Sequence, residues 1–218
     1  MRGTMTAALR PRLVVAGSTG ATGQVLVPLA RRLGFPVVPL VRATSSGRVD
    51  GGGTVDVETG AGLVEAMGGA GAVLQCIGTM RHRFSSGDTY EKSDIGTTRA
   101  LVEAAKRAGA PHFILLGSYG TGRPVGAYLK AKAQAEALVR ESGLPFTIFR
   151  PSALMGGERR GVPLLKPIAR ALGLKGIEPI TLEELSRAML AAAAHRGPLG
   201  VALEGAPLWA LVAQGQAL

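Results

Sequence analysis

Short apolar runs alternate with helix-like segments along almost the whole chain. Leu13-Val14-Val15-Ala16 is continuously apolar and reads as a strand buried on both faces. The pattern after it places Val25, Leu26, Leu29 and Leu33 on one side of a helix, which Gly34 and Pro36 terminate. Residues 37–41 form a second strand, in which Pro39 predicts irregular pairing or an unfilled donor position, because proline brings no N–H to the ladder. A Ser/Gly-rich loop over residues 44–53 leads to a short strand at 54–57, a brief helix at 63–67 and a strand at 72–77. Residues 93–108 read as a helix whose apolar surface comes from Leu101, Val102, Ala104 and Ala105. A strand at 113–116, a helix at 128–142 and a strand at 146–149 follow. After Pro151 the pattern loosens until Thr181-Leu182-Glu183-Glu184, a capping box that opens a helix running through Ala194. A strand at 201–203 and a terminal helix from Pro207 complete the reading.

Strands separated by helices require right-handed crossovers, so the expected architecture is α/β: one doubly wound, mainly parallel sheet with helices on both faces. No linker or repeat divides the chain, which predicts a single domain over residues 1–218. Residues 156–218 are too few for a separate substrate domain and are expected to supply a small lid, a last strand and a helix.

Composition sharpens this picture. Hydrophobic residues make up 46% and charged residues 18%, enough apolar content for a packed core. Cys76 is the single cysteine, which excludes an intrachain disulfide and fits a reducing, cytoplasmic setting. No apolar run approaches the roughly 20 residues that cross a bilayer. No His, Cys and carboxylate cluster has metal-ligand spacing, so no metal is expected. Lys and Arg number 25 against 15 Asp and Glu, a net charge of +10 that would suit nucleic acid or a phosphorylated ligand. Only 4% of the residues are aromatic, which leaves few rings for stacking bases.

Between the first strand and first helix lies Gly17-Ser18-Thr19-Gly20-Ala21-Thr22-Gly23. Glycines in that position allow a tight turn, let backbone amides approach a pyrophosphate, and permit close helix–strand packing at a helix N-terminus that favours anions. A phosphate-binding P-loop is excluded, because Thr22 stands where its second glycine belongs and Gly23-Gln24 follow instead of Lys and Ser or Thr. Where an NAD site carries an acidic residue at the end of the second strand, this chain has Arg42. A guanidinium suits a 2′-phosphate through paired, charge-assisted bonds, so NADP(H) is favoured over NAD(H). Arg31, Arg32, Arg42 and Arg48 all precede the first carboxylate, Asp50, which points the same way.

The chain resembles the short-chain dehydrogenase/reductase superfamily, and within it the atypical Tat-interacting-protein-like and NmrA-like branch. The glycine turn carries the resemblance together with Leu74-Gln75-Cys76-Ile77-Gly78-Thr79, Leu115-Leu116-Gly117-Ser118, Tyr128-Leu129-Lys130-Ala131-Lys132 and Phe149-Arg150-Pro151, in the family's order. It implies a Rossmann-type fold in which Gly17, Gly20 and Gly23 hold a pyrophosphate, with Ser18 or Thr19 adding a hydroxyl bond. Arg42 would face the 2′-phosphate, and Asp56 and Val57 the adenine. Cys76, Ile77, Gly78 and Thr79 would pass beneath the riboses, and Pro151, Ser152 and Ala153 would position the carboxamide. Tyr128 and Lys132 share a helix face. By the resemblance Tyr128 exchanges a proton with the substrate oxygen, Lys132 assists it and holds the nicotinamide ribose, and Ser118 polarises the same oxygen. The expected activity is hydride transfer between NADPH and a small carbonyl or related substrate. Relatives also include redox-sensing regulators, so a non-enzymatic NADP(H) sensor with a protein partner is the alternative. A nucleic-acid module rests on the charge alone and no motif supports it. Related folds often pair through helices, so a homodimer fits the resemblance. The segment after the fourth strand lacks the Asn of the family's usual tetrad, and the interval from Ser118 to Tyr128 is short. Cys76 reads as a small core residue, while His82, Arg159, Arg160 and Lys166 read as solvated loop residues. His195 falls at a helix end, where a cation is favourable.

Overall fold

The computed structural model describes residues 10–45, 47–78, 89–156 and 176–218. Among these, seven strands form one parallel sheet: β1 (Leu13–Ala16), β2 (Val37–Val41), β3 (Gly53–Thr54), β4 (Ala72–Gln75), β5 (Phe113–Leu116), β6 (Phe146–Phe149) and, after a two-residue pair described below, β9 (Val201–Leu203). Their spatial order is β3-β2-β1-β4-β5-β6-β9. β1 lies between β2 and β4, so the chain reverses direction across the sheet there, and the carboxyl ends of β1 and β4 border the crevice where such sheets bind ligands. The expected doubly wound α/β sheet is therefore present.

The continuous apolar strands follow from cover on both faces. Leu13 and Val15 of β1 join one core with α1 (Ala21–Arg32), α5 (Leu182–His195) and α6 (Gly205–Gly215). Val14 and Ala16 point the other way, into a core with α2 (Leu63–Met67), α3 (Thr97–Arg107) and Val139 of α4 (Gly126–Glu141). At the start of α5 the capping box closes in both directions: Thr181 Oγ1 accepts from the Glu184 N–H at 3.1 Å, and the Glu184 carboxylate accepts from the Thr181 N–H at 2.8 Å.

Several boundaries differ from the sequence reading for identifiable reasons. Pro39 pairs in regular register with Val15, and β3 meets β2 only at Leu40 and Val41, so the missing N–H falls outside that ladder. The strand expected over 54–57 is cut short because Asp56 Oδ1 accepts the N–H groups of Glu58 and Thr59 and bends the chain. β4 stops at Gln75, whose side-chain oxygen takes the Ile77 N–H at 2.5 Å. The helix expected from 93 begins instead with a π-helical turn, Glu91–Gly96, that continues into α3. A second sheet, β7 (Leu154–Met155) paired with β8 (Ile180–Thr181), has strands too short to show a period in sequence.

His112 is fully buried and shares a 2.8 Å hydrogen bond with Thr147 Oγ1. Burial first, then the Arg196 charge, pushes its pKa down to about 4, so it is a neutral core group. His82, Arg159, Arg160 and Lys166 lie outside the described residues. Among the described residues no helix is long and apolar enough to cross a membrane.

Candidate functional site

The site begins at the glycine turn, and its glycines have separate tasks. Gly17 has φ +84°, and a Cβ there would lie 2.8 Å from the Cys76 carbonyl carbon and the Ile77 nitrogen. The turn therefore presses against the chain leaving β4. Gly20 is the N-cap of α1, and its N–H donates to the Gly17 carbonyl at 3.0 Å. A Cβ at Gly23 would meet the Gly17 carbonyl oxygen at 2.2 Å, so this glycine lets the helix sit down on its own turn. No side chain caps α1 and no acidic residue occupies its first turn, which leaves the positive end of the helix to an incoming anion.

Ser18 does not serve as expected. It is buried, and its hydroxyl donates to the Leu40 carbonyl at 2.8 Å, binding the turn to β2 rather than facing a ligand. Thr22 and Gly23 are buried within α1, while Ala21 is exposed at its start.

Above the turn opens a cavity of about 430 Å³. Gly17, Thr19 and Gly20 line it, as do Arg42 and Arg48 beside β2, Asp56 and Val57 beyond β3, and Cys76, Ile77 and Gly78 after β4. Nine of the residues expected around a dinucleotide thus share one cavity, while Thr79 lies outside the described residues. The guanidinium groups of Arg42 and Arg48 have no hydrogen-bond or ion-pair partner among the described residues. The Asp56 carboxyl is held below its ordinary pKa, chiefly by the Glu58 N–H and then by Thr59, so its charge is spent on its own turn. Burial pushes the Cys76 thiol up to about 12 against a weaker opposing pull from Lys132, which keeps it protonated and unreactive. Lys92, Ser93 and Thr97, from the π turn and α3, close the far wall; the sequence reading did not single them out.

The three expected catalytic residues stand at the carboxyl edge on β5 and α4. Tyr128, in the first turn of α4, is 37% exposed. Lys132, one turn on, is buried, and its Nζ is 2.8 Å from Asp94 Oδ1. The Asp94 carboxylate thus pairs the ammonium within the protein and offsets its field at Tyr128. The Ser118 hydroxyl donates to the Tyr119 carbonyl at 3.4 Å, and among the described residues no hydrogen bond joins it to Tyr128 or Lys132. The Tyr90 and Tyr128 rings lie 5.7 Å apart, tilted by 59°. Tyr90 and Asp94 were missed, although Tyr90-x-x-x-Asp94 mirrors the spacing of Tyr128-x-x-x-Lys132.

A second buried ion pair braces the loop after β5. The Arg150 guanidinium donates to both Glu136 oxygens at 2.5 to 3.1 Å, which raises its pKa, and the Thr121 hydroxyl lies 2.7 Å from Glu136 Oε1 and 3.0 Å from the Ser118 carbonyl. Pro151, Ser152 and Ala153 do not line the large cavity. The Pro151 carbonyl accepts from the Tyr119 N–H at 2.9 Å, the Ser152 hydroxyl donates to the Glu178 carbonyl at 2.7 Å, and the Ala153 carbonyl accepts from Ile180 at 2.9 Å. These bonds commit the segment to β8 and to a crevice of only about 10 Å³.

Residues 17–196 match the model of an NAD(P)H-binding family, and the chain belongs to that family. The mitochondrial protein FMP52 of Debaryomyces hansenii is 29% identical over 188 residues, covering 79% of this chain and 83% of that protein. A putative NAD-dependent epimerase/dehydratase from Bacillus halodurans superposes with a TM-score of 0.71 at 22% identity, covering 94% of this chain and 99% of that one. An NADPH-dependent quinone oxidoreductase from Escherichia coli, complexed with NADPH, gives 0.65 at 15% identity, covering 88% of this chain and 68% of that one. The fold is thus shared by proteins of either cofactor, and the choice between them rests with side chains.

Gly17→Ala places a methyl group against backbone on both counts, space and φ. The variant is expected to lose about 1–3 kcal/mol of stability, measured by denaturant unfolding, and to bind dinucleotide more weakly.

Proposed function

We propose that the protein is an NADP(H)-dependent oxidoreductase of the short-chain dehydrogenase/reductase type that acts on a small carbonyl or related compound. The observation that carries this reading is the pairing of two partnerless guanidiniums, Arg42 and Arg48, with a glycine turn on the wall of one cavity. The residues present fit a dinucleotide: Gly17 lets the turn close against the chain leaving β4 on the cavity wall, and the uncapped N-terminus of α1 favours a pyrophosphate's charge. Val41 and Arg42 end β2 without a carboxylate to receive a ribose 2′-OH, which supports the phosphorylated cofactor.

Bound NADPH supplies the hydride. A carbonyl oxygen that gains negative charge as its carbon is reduced needs a proton, and Tyr128, phenolic and half-exposed in the first turn of α4, is the donor. Lys132 binds the ribose from below the cavity floor. Ser118 hydrogen-bonds the same substrate oxygen once its weak 3.4 Å bond to the Tyr119 carbonyl is exchanged. One observation favours a second reading, a sensor that holds NADP(H) without turning it over: among the described residues Ser118 and Tyr128 share no hydrogen bond, and the Lys132 charge is already paired.

Arg42→Ala is expected to weaken NADPH binding by about tenfold to a hundredfold, the worth of a charge-assisted hydrogen bond, and to leave NADH affinity unchanged in a fluorescence titration. Equal losses for the two cofactors would contradict the assignment. Tyr128→Phe is expected to reduce turnover of a reducible carbonyl by about 10²–10⁴-fold at unchanged NADPH affinity. Wild-type rates in that variant would favour the sensor.

A further inference from the structure

A buried polar chain runs beneath the cavity floor. The Ile77 N–H donates to Gln75 Oε1 at 2.5 Å, and Gln75 Nε2 donates to Thr98 Oγ1 at 3.1 Å. The Thr98 hydroxyl donates to the Asp94 carbonyl at 2.5 Å, and Asp94 Oδ1 meets Lys132 Nζ at 2.8 Å. Asp94 is 1% and Lys132 8% exposed in their side chains. The chain ends directly behind the floor, since a Cβ on Gly78 would lie 2.7 Å from Lys132 Nζ and 3.3 Å from Asp94 Oδ1.

Gly78 itself lines the cavity, following β4, which β1 separates from β2 and Arg42. Glycine here lets the ammonium reach the floor. Asp94 enters from the π turn Glu91–Gly96, a distortion of the helix that recurs at functional sites. A buried ion pair is weak evidence for stability, because desolvation offsets the attraction. The buried Glu136–Arg150 pair has a visible structural task, holding α4, β6 and the loop after β5 together. The Asp94–Lys132 pair instead abuts a residue that a ligand would touch.

We propose that Asp94 is a positioning residue for Lys132. Its carboxylate pins the ammonium against Gly78, so that the remaining N–H donors of Lys132 reach the ribose at the nicotinamide end of the cofactor. Lysine presents three donors on a flexible four-carbon stem, and without a fixed counter-charge that stem is free to swing the ammonium away from Gly78. This rests on the NADP(H) reading of the cavity and adds which residue sets the geometry of its far end.

The test compares two ligands on the full chain: NADPH, and adenosine 2′,5′-bisphosphate, which carries the 2′-phosphate but no nicotinamide ribose. Asp94→Asn keeps the shape and removes the charge. NADPH affinity is expected to fall about tenfold, roughly one charge-assisted hydrogen bond, while affinity for the bisphosphate stays unchanged. In a Lys132→Met background, where the donor is already gone, Asp94→Asn is expected to add no further loss; this pair of variants also decides the matter if the single Asp94→Asn protein does not fold, since the double variant buries no lone charge. Equal weakening of both ligands, undiminished NADPH binding by Asp94→Asn, or a further loss in the Lys132→Met background would overturn the proposal. Wild-type protein that binds neither ligand would remove the cofactor reading itself, and this one with it.

Discussion

The closeness of the Gly17 turn to the chain leaving β4 governs the rest of the carboxyl edge. A side chain at Gly17 would collide with backbone at 2.8 Å, and one at Gly23 with the turn itself at 2.2 Å. Because these contacts are backbone on backbone, they fix where α1 starts relative to β1 and β4. The amide end of α1 and the Cys76–Gly78 floor then become two walls of one cavity. The sheet order places this junction at the reversal point of the chain, where strands on either side lead their loops apart and leave a crevice.

Charge is distributed around that cavity with a consistent logic. Two carboxylates at or behind its walls are engaged by the protein itself, Asp56 by the amides of its own turn and Asp94 by Lys132, while Glu58 lines the wall beside Asp56. The cations on the cavity wall are not so engaged. The guanidiniums of Arg42 and Arg48 have no protein partner among the described residues. A wall of that kind is electrostatically complementary to an anion with several phosphate groups. The chain's net charge of +10 reads in this light as partly local, concentrated before Asp50 in sequence and beside β2 in space.

Strands buried on both faces are legible in sequence because their apolar runs are continuous, and β5 and β6 occur where those runs lie. The capping box at Thr181 was equally plain, since its two reciprocal bonds need only Thr and Glu three apart. The glycine turn could be read for the same reason: only a tight approach makes three glycines at that spacing useful. What could not be read depended on where side chains turn. Ser18 looked like a ligand for phosphate but is claimed by the Leu40 carbonyl. Pro151 to Ala153 matched a family segment but is drawn aside by β8. Asp94 was invisible because a π turn, which leaves no periodic signature over six residues, is what aims it at Lys132.

The central claim, that this cavity is built for a 2′-phosphorylated dinucleotide, is tested most directly by titrating the wild-type protein with NADPH and with NADH under the same conditions and following nicotinamide fluorescence. The account predicts saturable binding of NADPH that is at least about tenfold tighter than that of NADH, the difference one guanidinium–phosphate contact makes. NADH binding as tightly as NADPH, or neither binding at all, would contradict it.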